Sequence, residues 1–318
     1  MKKELGILTL LLVLCGVTAA INPRFLSATN LTNMANVIGL YGVFSLGLGL
    51  VIITGGIDLS VGSMFALAGV LLSMALTEWH WPWPLAAAFV IAIPMALGWG
   101  HGALITRMKI QPFIVTLCGL LLYRGLARYI ANDGTKGLGN AEGFEAFASL
   151  AKGKLFGLPA PFVILIVVSV IMWFVLHRSI YGRYLLAVGR NEDAARFSGI
   201  NTRFVIATAY VLLGLLTGIA GILLAFYTNS ISPSNHGNFY ELYGIAAAVL
   251  GGCSLRGGEG SVIGILIGTA LLQVLQNLVN LLGIPSSLNF AVMGAVVLAG
   301  VLADQFFQSR AQKRLVRH

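Results

Sequence analysis

"FVIATAYVLLGLLTGIAGILLAF", residues 204–226, runs for 23 positions without a charged side chain. A helix needs about 20 mostly apolar residues to cross the hydrocarbon core of a bilayer, so this stretch is long enough to do so. The whole chain of 318 residues shares this character, with 58% hydrophobic and 10% charged residues and a mean hydropathy of +0.89. Ordinary soluble domains are about a quarter charged. The composition therefore predicts a polytopic membrane protein.

Further apolar segments precede and follow this stretch. Helices are the only plausible spans, because the open edge of a sheet cannot be satisfied in lipid. The sequence therefore predicts an all-α polytopic membrane protein with about ten transmembrane helices, forming a single transmembrane domain over residues 1–318. The predicted spans lie near 5–21, 34–54, 61–77, 85–106, 110–130, 161–177, 204–226, 239–255, 261–282 and 287–307.

Basic residues predict which side of the membrane each loop faces. The segment 178–203 contains five arginines, and the tail after Phe307 contains Arg310, Lys313, Arg314 and Arg317. Cytoplasmic loops are enriched in Lys and Arg, so both segments and both termini are predicted to be cytoplasmic. The same rule accounts for the net charge of +9 without a nucleic-acid partner. The segments predicted to lie outside are 78–84, the long loop 131–160, and 227–238.

The N-terminus and the cysteines give weaker signals. Residues 1–20 combine two lysines, an apolar core and small residues, as a signal peptide does, but the spans that follow favour a retained first helix over a cleaved one. The three cysteines, Cys15, Cys118 and Cys253, lie in or at the end of apolar runs without CxxC spacing. Neither a metal site nor a disulfide framework is predicted.

A short charged segment, "GRNEDAARFSGIN" (189–201), interrupts the apolar chain. Asn191 can cap a helix, Glu192 and Asp193 suit the positive end of its dipole, and Gly199 can end it. A helix of this length is not stable alone in water, so it must pack on its own membrane domain or on another protein. The apolar surface that it offers consists of Ala194, Ala195 and Phe197.

Three stretches resemble one family of transporters. "YGRYLLAVGRNEDAARFSGIN" (181–201) resembles the cytoplasmic coupling segment of ABC importer permeases. "GGIDLSVGS" (55–63) and "GGCSLRGGEGSVIG" (251–264) are similar to motifs of the ribose/xylose/arabinose/galactose permease family. This resemblance implies a location in the bacterial cytoplasmic membrane and three partners: an ATP-binding subunit, an extracytoplasmic solute-binding protein and a second permease copy. The implied coupling residues are Asn191, Glu192, Asp193, Ala194, Ala195, Arg196, Phe197 and Gly199.

The energy source is predicted to lie on a partner chain. The sequence contains no GxxxxGK[ST] phosphate-binding loop, so ATP and Mg²⁺ are expected on the ATPase subunit and no cofactor or metal on this chain. The alternative, an ion-coupled secondary transporter, requires acids or histidines facing one another near the middle of the bilayer, and the predicted spans contain almost none. HExxH and GxSxG motifs are also absent, which disfavours an intramembrane enzyme.

Four amide side chains mark the ninth predicted span. Gln273, Gln276, Asn277 and Asn280 follow i, i+3, i+4, i+7 spacing and therefore share one face of a helix. Such a face is costly in lipid, so it must look into the bundle, an interface or water. Amides both donate and accept hydrogen bonds and suit a neutral sugar. The face can therefore line a substrate pathway, or it can bond to a neighbouring helix.

The two glycine-rich motifs offer further candidates. Asp58 lies at the break between the second and third spans, where it can belong to the pathway or cap the next helix. His101 is predicted to be a packing residue, and Arg124 and Arg128 are attributed to snorkelling at the outer end of the fifth span. The glycines expected to have structural roles are Gly55, Gly56, Gly251, Gly252, Gly257 and Gly258.

Overall fold

The computed structural model describes residues 2–285 and the separate positions 288, 291, 292, 294, 295 and 298. Apart from those positions, the predicted tenth span 287–307 lies outside the described residues, as does the basic tail. In chain order the elements are α1 (Lys2–Ile21), a 3₁₀ turn (Pro23–Leu26), α2 (Ala28–Ile53), α3 (Val61–Thr77), α4 (Trp83–Arg107), α5 (Pro112–Ile130), α6 (Glu145–Lys152), β1 (Lys154–Leu155), β2 (Leu158–Pro159), α7 (Ala160–Trp173), a π-helical turn (Phe174–Arg178), α8 (Ile180–Arg190), α9 (Glu192–Phe197), α10 (Thr202–Thr228), α11 (Tyr240–Leu250) and α12 (Val262–Leu281).

The first nine predicted spans each contain an apolar helix. Among the described residues, seven helices are long and apolar enough to cross a membrane: α1, α2, α4, α5, α7 with its π-helical turn, α10 and α12. The predicted fold class, an all-α polytopic membrane protein, is confirmed. The total number of spans and the orientation of the termini remain predictions.

Two of the apolar helices, α3 and α11, are too short for a complete crossing. They contain 17 and 11 residues, which at 1.5 Å per residue gives lengths of about 25 and 16 Å. The hydrocarbon core is about 30 Å thick. The predicted complete span 239–255 is therefore wrong in its extent, because its helical part covers only about half the membrane.

The segment that joins α10 to α11 crosses the part of the membrane that α11 does not span. Ile231 packs against Gly69 of α3, and further along, Gly237 packs directly against Gly62. From Gly69 to Gly62 the segment descends seven residues along α3, which is about 10 Å. Residues 229–239 therefore enter the membrane domain from the side predicted to be outside. The segment 227–238, predicted to be an outer loop, is re-entrant for most of its length.

The other outer segment, 131–160, folds over the membrane domain. Its helix α6 buries Phe147, which stacks on Trp83 and meets Phe226 edge-to-face. Lys136 forms a β-bridge with Ile231 at the entrance of the re-entrant segment. The outer segment therefore contacts α4 and α10 through its helix α6, and it contacts the start of the re-entrant segment through Lys136.

Small residues let α10 approach the helices around it. The Cβ that a larger residue would add at Gly214 or Gly218 would collide with the backbone of α4 at Pro94 and Ile91. The GxxxG spacing of these two glycines therefore serves close helix packing. On its other side α10 packs against α2, which is almost completely buried over its second half.

The predicted orientation can be tested by labelling with a membrane-impermeant maleimide. In a variant that lacks the native cysteines, Arg183→Cys on α8 should react only when the cytoplasmic side is exposed. Asn140→Cys in the outer segment should react only from outside. Both side chains are exposed in the structure. Labelling of both positions from one side would contradict the predicted orientation.

Candidate functional site

The three motifs that carry the family resemblance converge on one side of the molecule. The amide of Gly258 donates to the carbonyl of Ile53 at the end of α2, at 2.8 Å. Gly257 lies against the amide of Gly55 and the carbonyl of Gly189 near the end of α8. Because Gly257 also has a φ of +86°, both its conformation and its surroundings favour glycine. The glycine-rich breaks and the charged segment therefore form one packed unit.

The helix α9 stands next to this unit and begins and ends as predicted. The Asn191 side chain accepts a hydrogen bond from the amide of Ala194 at 2.9 Å, and Gly199 follows the helix with a φ of +84°. Glu192 accepts from the hydroxyl of Thr202 at 3.1 Å, which fixes α9 against the start of α10. The position of this short helix is thus set by its caps and by one bond to the next helix.

The three residues predicted to form its apolar surface are divided between a buried and an exposed side of the helix. Ala195 is 5% exposed and belongs to the protein's own hydrophobic core. Ala194 is exposed, and Phe197 is 85% exposed. The Arg196 guanidinium lies 5.7 Å from the ring centroid of Phe197 and bonds to Asp193 at 2.8 Å. The helix therefore packs on its own domain through Ala195 while Phe197 projects away from it.

A cavity of about 480 Å³ lies between α9, the turn from α4 to α5 and the end of α2. Its walls include Thr54, Lys109, Glu192, Arg203 and Tyr210. The Tyr210 hydroxyl also donates to the carbonyl of Ile57 at 3.2 Å, directly beside Asp58. The cavity therefore adjoins both the predicted coupling helix and the break between α2 and α3.

Asp58 lies in a buried polar network rather than on an open channel. Its Oδ1 accepts from the amide and the hydroxyl of Ser60, each at 2.7 Å, at the start of α3. Its Oδ2 lies 3.3 Å from Nδ1 of His101, whose Nε2 lies 2.7 Å from the Tyr123 hydroxyl. With the proton on Nδ1, His101 donates to Asp58 and accepts from Tyr123. Three separate segments are joined by this chain of bonds.

The amide face of α12 is divided between different environments. Asn277 exchanges two hydrogen bonds with Asn30 of α2, at 2.7 and 3.1 Å, and Gln276 bonds to Tyr243 of α11. Gln273 is buried, whereas Asn280 is exposed. Two of the four amides therefore connect helices.

A polar cluster at the tip of the re-entrant segment was missed by the sequence analysis. Arg124 of α5 donates to the carbonyls of Pro233 at 3.1 Å, His236 at 2.8 Å and Gly62 at 3.1 Å. It lies six residues before the end of α5 at Ile130, or about 9 Å below it. The attribution of Arg124 to snorkelling is therefore wrong, whereas Arg128 does pair with Asp133 at the exposed end of the helix.

Glu241 supplies the negative charge of this cluster. The side chain is 6% exposed, and its carboxylate accepts from the amide of Gly62 in the first turn of α3. Glu241 itself lies in the first turn of α11. The carboxylate thus lies at the positive ends of the two short helices α3 and α11, close to the Arg124 guanidinium. One sequence signal indicated this site: an arginine and a glutamate inside or next to predicted spans, where charges are costly and usually paired.

A membrane domain with two shortened apolar helices, a re-entrant segment and a short helix packed beside glycine-rich breaks is typical of a transporter. The chain belongs to the family described as "Branched-chain amino acid transport system / permease component", whose model matches residues 30–301. It is a multi-pass protein of the bacterial inner membrane, and a transport subunit rather than an enzyme.

Individual relatives cover nearly the whole chain. The ribose import permease protein RbsC of Bacillus subtilis is 38% identical over 310 residues, which is 95% of this chain and 93% of that protein. RbsC of Escherichia coli is 39% identical over 92% of this chain and 91% of its own length. The L-arabinose transport system permease protein AraH of Escherichia coli is 35% identical over 96% and 91%. No solved structure matches the chain.

The role of Arg124 can be measured as thermal stability in detergent. Arg124→Met leaves three carbonyls and the Glu241 carboxylate without their cation, so we expect a loss of about 2–3 kcal/mol. Adding Glu241→Gln should recover part of that loss. Arg128→Met, one turn further along α5, is the matched control and should leave the melting temperature unchanged because its ion pair is exposed. Equal effects of the two arginine substitutions would contradict this role.

Proposed function

We propose that this chain is the membrane-spanning subunit of an ATP-driven importer for a monosaccharide or a sugar-like solute. The observation that carries the proposal is the convergence of the two glycine motifs on the end of α8, directly before α9. A helix that is fixed to the membrane domain on one side and presents Phe197 on the other is suited to transmit motion from a second protein. The relatives named ribose and arabinose permeases favour a sugar as the solute.

The partner for α9 in this proposal is a separate ATPase subunit, which would carry ATP and Mg²⁺. An extracytoplasmic solute-binding protein would deliver the sugar to the outer segment 131–160, and a second permease copy, identical or similar, would complete the membrane part. These partners follow from the resemblance to ABC importers. Family membership supports the first two, and the pairing of permeases is an expectation.

Ion-coupled secondary transport is the less favoured alternative. Its strongest support would be Asp58 and Glu241, which are buried carboxylates at membrane depth. Asp58 is bonded to Ser60 and lies beside His101, and Glu241 lies close to Arg124 and bonds to Gly62. Both carboxylates therefore have structural partners, and the named relatives belong to import systems with a permease component.

The coupling role of α9 is tested by Phe197→Asp. The side chain is 85% exposed, so the substitution should leave the permease folded. It places a charge in the proposed contact with the ATPase, and we expect a loss of about tenfold or more in co-purified ATPase and in sugar uptake.

Phe156→Asp is the matched control, because Phe156 is 97% exposed on the opposite side of the molecule. It should leave the amount of co-purified ATPase unchanged, and uptake is not compared for this variant because Phe156 lies in the outer segment assigned above to the solute-binding protein. Ala195→Glu, by contrast, should destabilise the permease itself because Ala195 is buried. If Phe197→Asp retains the ATPase and normal uptake, α9 is not the coupling element.

The amide face of α12 is tested residue by residue. We propose that Gln273 and Asn280 face the sugar route during transport, so Leu at either position should lower uptake and leave thermal stability unchanged. Asn277→Leu breaks the pair with Asn30 and should instead cost about 0.6–2 kcal/mol of stability. Uptake and melting temperature are measured on the same variants. Normal uptake with a lowered melting temperature for Gln273→Leu and Asn280→Leu would assign the whole face to helix packing.

A further inference from the structure

An apolar groove of about 730 Å³ opens on the lipid-facing side of the protein, between α1, α2, α7 and α12. Apart from the hydroxyl of Ser169 and the indole of Trp173, its walls consist of hydrocarbon side chains. The sugar route proposed above makes no use of it, because Gln273 and Asn280 come after Ala270, where the groove ends on α12.

The groove runs lengthwise through the membrane domain, from the cytoplasmic end of α12 toward the outer end of α7. Along α12 it extends from Val262 to Ala270, which is about 12 Å at 1.5 Å per residue. One leaflet of the hydrocarbon core is about 15 Å deep. The Val262 end is next to the π-helical turn that leads into α8, on the side predicted to be cytoplasmic. Along α7 the groove extends from Phe162 to Trp173, about 16 Å, so it is long enough for an acyl chain that enters from the inner leaflet.

The mouth of the groove combines an aromatic ring with a cation. The Arg178 guanidinium lies 5.2 Å from the ring centroid of Trp173, and both are at the cytoplasmic end of α7. His177 Nε2 lies 3.4 Å from the amide of Val262. Trp and Arg at this depth are typical of the boundary between hydrocarbon and headgroups. An acyl chain in the groove would place its phosphate beside Arg178.

One carboxylate is also present at the mouth, on the α1 side. Glu4 accepts a hydrogen bond from the hydroxyl of Ser261 at 2.6 Å, at the start of α12. It is preceded in the chain by Lys2 and Lys3. The carboxylate thus has a donor within the protein, whereas the Arg178 side chain is exposed toward the headgroups. The charge at the open side of the mouth is positive.

We propose that this groove is a binding site for an anionic phospholipid, with one acyl chain between α7 and α12 and the phosphate on Arg178. A basic residue at the cytoplasmic end of a groove between transmembrane helices is suited to such headgroups. The described part of the chain beyond α12 does not fill the groove. Val292 packs against the hydrophobic cluster that contains Leu272. Leu272 comes nine residues after Ile263, which lines the groove, so the two side chains lie on opposite faces of α12.

The test uses the fluorescence of Trp173 in full-length permease reconstituted into vesicles. Phosphatidylglycerol or phosphatidylcholine with brominated acyl chains, which quench tryptophan fluorescence, is added at equal mole fractions. The difference in quenching between the unsubstituted protein and the Trp173→Phe variant isolates the signal of Trp173. We expect phosphatidylglycerol to compete for the groove about fivefold better, the effect of one basic residue near an anionic lipid. Trp99, which is 58% exposed on α4, is the internal reference and should show no preference.

Two variants separate headgroup recognition from simple contact with lipid. Arg178→Gln should abolish the preference, whereas Arg203→Gln, the same loss of charge on the same side but beside the other cavity, should retain it. Ala270→Phe should fill the groove and reduce quenching of Trp173 by either lipid, and Leu121→Phe on the exposed face of α5 should not. Equal quenching by the two lipids in the unsubstituted protein would overturn the proposal. Absence of quenching by both would also overturn it and would assign the groove to a protein helix.

Discussion

Arg124 connects two breaks in the chain inside the membrane. Its guanidinium binds the carbonyl of Gly62, where α3 begins, and those of Pro233 and His236, just before α11 begins. The carbonyls of Pro233 and His236 lie outside any helix, and at membrane depth water is not freely available to bond to them. A single planar side chain with five donors can satisfy several of them at once. The contact thus joins the start of α3 to the segment that leads into α11.

The cluster around Arg124 also explains why Glu241 is tolerated. A buried carboxylate is costly unless it has hydrogen bonds and a nearby opposite charge. Glu241 has both, and it lies at the N-terminal ends of α3 and α11, which favour negative charge. The close contact of Gly62 with Gly237 leaves no room for a side chain at that point. Charge, helix direction and glycine packing therefore favour the same arrangement of the re-entrant segment.

Much of this fold could be predicted from the sequence because hydropathy identifies long apolar helices without reference to their neighbours. The short helix α9 was also predictable, since Asn191 and Gly199 determine its ends locally. The depth of α11 in the membrane was not predictable. The run 239–255 has the composition of a span, but only contacts with α3 and α5 show that its helix begins inside the membrane. Hydropathy likewise gave no sign that Ala195 packs inward.

Pairings over long distances in the chain were the least predictable part of the candidate site. Asp58 and His101 are separated by 43 residues, and Asn30 and Asn277 by 247. The sequence singled out Asp58, His101 and Asn277 individually but gave no indication of their partners. It gave no signal for Asn30, which lies between the first two predicted spans without any local motif. Such contacts depend on how the helices are arranged, so they can be read only from the three-dimensional structure.

The depth of the re-entrant segment is tested most directly by disulfide trapping in the membrane. A Cβ at Gly69 would lie 3.2 Å from Cγ2 of Ile231, so Gly69→Cys and Ile231→Cys bring two thiols within reach of a disulfide. In a variant without native cysteines, this pair should cross-link rapidly, and Thr77→Cys with Ile231→Cys, at the outer end of α3, should not. Cross-linking at position 77 and not at position 69 would place the segment on the surface and contradict the account.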